Sequence, residues 1–95
     1  MHQSTHYHCD AIALAVINDG ATYERRKQVT RAWVHKTWSD DFCMLQFFDL
    51  CARESKKPHY EGMSFTRDQL WCAAGQVHDY MLNHYAESNN GADWS

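Results

Sequence analysis

The stretch Phe65-Thr66-Arg67-Asp68-Gln69-Leu70 marks where a long helix begins. Thr66 and Gln69 have the spacing of a capping box, in which each side chain satisfies a backbone N–H that the helix itself leaves open. Phe65 and Leu70 flank the cap as a hydrophobic staple. Downstream, Leu70, Ala73, Ala74, Val77, Tyr80, Met81 and Tyr85 recur at helical spacing, which predicts a helix from Arg67 to about Glu87. Ser88-Asn89-Asn90-Gly91 ends it. Gly75 lies inside this stripe at a cost of about 1 kcal/mol relative to Ala, so it is expected to admit a close helix contact.

Three further helices precede it. Ser39 reads as an N-cap, with Asp40 and Asp41 in the first turn where the helix dipole favours acids. The helix that follows, from Asp40 to about Glu54, carries Met44, Phe47, Phe48 and Cys51 at i, i+3, i+4, i+7, with Leu45 and Ala52 widening the stripe. It is expected to be the central core helix. Thr22 to Trp38 is the next expected helix, capped by Thr22 and buried along Val29, Ala32 and Trp33. Lys27, Arg31 and His35 run along another face, and Val34 and Trp38 fall close to it. Asp10 to Asn18 reads as a short helix stopped at Asn18-Asp19-Gly20, although Ile12, Val16 and Ile17 would equally suit a buried strand. Residues 1–9 and 88–95 are expected to be loose tails, and Ser55 to Met63, with Pro58, a loop. The expected fold is all-α: a compact bundle of about four helices forming a single small domain over residues 1–95.

Composition narrows the function classes. The chain has 95 residues, of which 44% are apolar, enough for a real core. Its four Trp, five Tyr and four Phe exceed what one small core buries, so some aromatic side chains are expected in a partner interface. The net charge of −3 is mild and argues neither for a DNA mimic nor for a generic nucleic-acid binder. Its distribution is uneven: Arg25, Arg26, Lys27, Arg31 and Lys36 stand against Glu24 alone, so a basic helix sits on an acidic body. The longest plainly apolar run, Ala11 to Ile17, is far too short to span a bilayer. No signal-peptide pattern opens the chain, which leads to an expectation of a soluble, cytoplasmic protein without membrane association. Cys9, Cys43, Cys51 and Cys72 form no Cys-x-x-Cys pair and are expected to be reduced, buried thiols.

The chemical motifs are weak. His2, His6, His8 and Cys9 are the best metal candidates, because imidazole and thiolate suit zinc, nickel or copper, but no second ligand cluster completes a site. No cofactor is expected. Cys72, His78 and Asp79 share a helix, yet a spacing of six positions does not put the first two on one face for nucleophilic catalysis. There is no Gly-rich phosphate loop, and a non-enzyme is expected. The short helix, the turn at Gly20 and the basic helix outline a helix-turn-helix, with Gln28, Thr30, Arg31 and His35 available to a duplex. Against that outline, Arg26 falls where a buried side chain is wanted. Protein–protein binding is favoured instead, because hot spots are enriched in Trp, Tyr and Arg. The candidate contact residues are Arg31, Trp38, Trp94, Arg25 and Arg26, with Trp33 and Trp71 as further tryptophans. Trp94 either folds back on the core or docks on a partner or a second subunit.

The segment His6 to Arg26, HYHCDAIALAVINDGATYERR, resembles small accessory proteins of phages and their satellites, and in particular the derepression (epsilon) proteins of satellite coliphages. The resemblance implies an antirepressor that binds a phage repressor and lifts repression by protein–protein contact. It assigns no individual residue a role. A homo-oligomer is also expected.

Overall fold

The capping box at Thr66 is formed. The Thr66 hydroxyl accepts from Gln69 N at 3.1 Å, and Gln69 Oε1 accepts from Thr66 N at 2.8 Å. The structure, a computed structural model, describes residues 2–94, with side chains from His8 onward. Four α-helices make up the fold: α1 (His2–Asn18), α2 (Tyr23–His35), α3 (Asp40–Ser55) and α4 (Arg67–Glu87). Short 3-10 turns lie at Gly20–Thr22, Pro58–Tyr60 and Ala92–Trp94. No strand occurs among the described residues, so the all-α bundle is as the periodicity predicts. Residues 11–17 are helical, and α1 reaches back to His2 instead of starting at Asp10.

The core runs between the helices. Cys9, Ile12, Ala13 and Val16 give α1 one buried face, packed chiefly on α4. Ala73, Ala74, Val77 and Met81 are the matching face of α4, which also packs on α3 through Cys43, Phe47 and Cys51. Val29 and Ala32 close the core from α2. A disulfide joins Cys9 to Cys72 across the α1–α4 seam, with Cα atoms 5.9 Å apart. The expectation of reduced thiols therefore fails for this pair, while Cys43 and Cys51 are free and buried. Burial raises the Cys51 thiol to about 12, so it stays protonated.

Several face assignments shift by a fraction of a turn. In α3 the buried line passes through Cys43, Phe47, Cys51 and Glu54, which leaves Leu45 half exposed. Tyr80 of α4 is likewise exposed, because Val77 and Met81 occupy the inner line. Gly75 faces open space, so it permits no close approach of a second helix. Residues 88–94 are not a loose tail. Gly91 N donates to Tyr85 O and Asp93 N to Ser88 O, both at 3.1 Å, and Trp94 folds back with 4% of its surface exposed.

Candidate functional site

The turn between α2 and α3 positions a half-buried Trp38 beside exposed aromatic and basic groups. Helix α2 ends at His35 rather than Trp38, because Lys36 adopts the left-handed conformation (φ 60°) and its N–H returns to the carbonyls of Ala32 and Trp33. Ser39 then caps α3, its hydroxyl accepting from Phe42 N at 3.1 Å. Trp38 is held in this turn with Phe42 against its edge, ring centroids 5.1 Å apart. Arg25 of α2 lies over the Trp38 ring at 5.5 Å. Its guanidinium donates to the carboxamide oxygens of Gln28 at 2.7 Å and Gln46 at 2.6 Å. No carboxylate among the described residues forms an ion pair with it.

Phe42 is 44% exposed and Leu45 48% exposed. Their i, i+3 spacing on α3 puts both on the side of the helix that Trp38 borders. Beside them opens a surface cleft of about 320 Å³ lined by Gln28, Arg31, Ala32, His35, Thr37 and Trp38. Arg31 and Trp38 thus share this cleft, and Arg25 joins them only through the Trp38 ring it covers. Leu45, expected to widen the core stripe, is exposed because the buried line of α3 runs through Cys43, Phe47 and Cys51.

Arg26 and Trp94 do not join this face. Arg26 is buried: Nε donates to Thr22 Oγ1 at 2.8 Å, Nη2 to Ile17 O at 2.9 Å and Nη1 to Met81 Sδ at 3.2 Å. Burial lowers its pKa, but a guanidinium stays charged and is satisfied here by the open carbonyl at the C-terminal end of α1. Trp94 sits behind α2, between Arg31 at 5.4 Å, His84 at 5.4 Å and Tyr85 at 5.3 Å. Lys27, expected on the solvated basic stripe, is buried there and donates to Trp94 O at 3.3 Å.

A second cleft of about 380 Å³ lies between the Gly20–Thr22 turn and α3. Arg25 lines it too, bonded to Gln46 and without an ion pair among the described residues, while the other charges answer one another. Lys57 bridges Glu54 at 2.8 Å and Asp19 at 3.3 Å, and Arg53 pairs with Asp49 at 2.9 Å. The Glu54 and Asp19 contacts raise the Lys57 pKa, and the Ala21 N–H together with Lys57 lowers that of Asp19. Tyr60 donates to Glu54 Oε2 at 2.8 Å, and burial followed by that bond raises it to about 12. This network ties the α1–α2 turn to the end of α3.

The other chemical candidates are dispersed. Cys72 is in the disulfide, and His78 packs between Trp33 at 4.1 Å and Phe47 at 5.8 Å. Burial lowers the His78 pKa, and its Nε2 has no hydrogen-bond partner among the described residues. The side chains of His2 and His6 lie outside the described residues. His8 contacts Gln69 and Phe65, and Cys9 has no thiolate to offer a metal while bonded to Cys72. Among the described residues no group of three His, Cys, Asp or Glu side chains is arranged to hold a metal ion, and no helix is long and apolar enough to cross a membrane. Compared with known proteins, the chain matches no family model, no curated protein and no solved structure.

Proposed function

We propose that the chain is a non-enzymatic regulator that binds another protein through the face formed by Arg25, Trp38, Phe42 and Leu45. The observation that carries this reading is Arg25 itself. It is fixed over an indole by two carboxamides and left without an acid, beside two exposed apolar side chains. An arginine and aromatic anchor ringed by apolar contacts is the composition of an interface hot spot. A partner presenting an acidic group next to an apolar knob fits it.

The resemblance of residues 6–26 to derepression proteins makes a phage repressor in the bacterial cytoplasm the partner proposed, held away from its operator. The runner-up, a DNA-binding regulator using α2, has less support. Arg26 and Lys27 point inward, Arg31 donates to Trp94 O, and Lys36 is paired with Asp40. Few cations are left on α2 to displace counterions from phosphate. The test is co-elution of the chain with a purified helper-phage repressor, together with an operator gel shift. Complex formation and loss of the operator shift are expected, both abolished by Trp38→Ala with Phe42→Ala. A shift of duplex DNA by the chain alone at moderate salt, or no complex with the repressor, overturns the proposal.

A further inference from the structure

The segment after α4 reverses through three successive left-handed residues. Asn89, Asn90 and Gly91 are all left-handed, with φ of 59°, 54° and 81°. Glycine adopts this region freely and asparagine tolerates it, but three in succession form a tight reversal with few alternatives. The reversal seats Trp94 in a groove between α2 and α4. There Lys27 and Arg31 both donate to its carbonyl, at 3.3 and 3.0 Å, and His84 and Tyr85 flank the indole. The seat is incomplete, because the buried Trp94 Nε1 has no hydrogen-bond partner among the described residues. Next to it Tyr80 is exposed, its ring stacked on His84.

We propose that this groove is a self-association site: a second copy of the chain inserts its own Trp94 segment there, in exchange for the resident one. The occupant's chemistry is that of the segment already seated. Opening the reversal at 89–91 leaves every seat contact available in trans while releasing the left-handed run, the condition under which an element is exchanged at low cost. Trp94 is six positions beyond Ser88, a span of at most about 20 Å when extended, so the two copies must abut close to the seat. The exposed Tyr80 ring lies where they meet. Against exchange stands the short link, which gives the resident segment an effective concentration in the millimolar range. The unmodified chain is therefore monomeric at micromolar concentration and exchanges as it approaches millimolar.

The hinge positions are exposed, so they can be altered without touching the core. Light scattering of the full chain from about 10 μM to 1 mM brackets the effective concentration of a short link. Asn89→Val with Asn90→Val, which penalises the left-handed region, is expected to bring dimerisation to a concentration about tenfold lower. Asn89→Gly with Asn90→Gly, which relaxes it, is expected to raise that concentration. An excess of a synthetic peptide of residues 88–95 is expected to return the valine variant to monomer by filling the open seats. A valine variant that stays monomeric like the parent, a glycine variant that dimerises more readily, or a dimer unmoved by the peptide overturns the proposal. The assay contains no repressor, so its outcome is independent of the partner proposed above.

Discussion

The guanidinium of Arg26 lies in the core against Met81, Nη1 to Sδ 3.2 Å, on the helix whose charge pattern advertises a basic surface. It also holds α1 to α2, through Ile17 O and Thr22 Oγ1. Arg26→Ala removes those bonds and leaves a cavity, for an expected loss of about 3 kcal/mol in urea unfolding. Arg25→Ala, one residue away and exposed, is expected to cost less than about 1 kcal/mol. Equal losses would contradict this placement.

Arg25 and Trp38 are expected to act as one unit in partner binding. Each alanine variant should weaken the complex by about 2 kcal/mol, roughly thirtyfold, as hot-spot truncations do. The double variant should lose less than the sum, because the two groups are in contact. A double-mutant cycle by calorimetry checks both. Additive losses would mean that the pair does not act together.

The Cys9–Cys72 disulfide closes a sequence separation of 63 residues. A loop of that length is expected to contribute about 4 kcal/mol by restricting the unfolded chain. Cys72→Ser, or reduction, should therefore lower the thermal midpoint by many degrees while the far-ultraviolet helical signal at 20 °C persists. Loss of helical signal on reduction at 20 °C would show that the noncovalent core alone is insufficient.

His78 makes stability depend on pH. Burial against Trp33 and Phe47 lowers its pKa in the folded chain below the ordinary 6.5, with Asp79 and Asp40 opposing the shift. The unfolded chain thus takes up the proton first as pH falls, and stability declines from about pH 6.5 down to the folded value. Asp19 acts in a separate window. Its lowered pKa contributes stability above 3.8 that is lost as pH falls through the folded value. Urea midpoints at pH 7.5 and 5 check the first effect, which His78→Leu should flatten. An unchanged slope in that variant would assign the decline to other groups.

Much of the architecture was legible because it is local. The Thr66–Gln69 box, the Ser39 cap and the stop after Glu87 depend on residues within one turn of each other. The ends of α2 and α1 were harder to place. Lys36 takes a left-handed C-cap without being glycine, and α1 continues N-terminal to the disulfide at Cys9. Of the proposed contact residues, Arg31 and Trp38 line one cleft with Arg25 over the Trp38 ring, whereas Arg26 and Trp94 turn inward.

Helical periodicity and capping chemistry therefore determined by themselves three of the four helices and where α3 and α4 begin, whereas residues 11–17 suited helix and strand equally. Which cations face water, which tryptophan is seated and which thiols pair were decided only by the tertiary structure. Those outcomes turn on groups distant in sequence: the open carbonyl of Ile17 for Arg26, the carbonyl of Trp94 for Lys27 and Arg31, and the approach of α1 to α4 for Cys9 and Cys72. A charge or thiol is placed by the partners that satisfy it, and no spacing rule along one helix contains them.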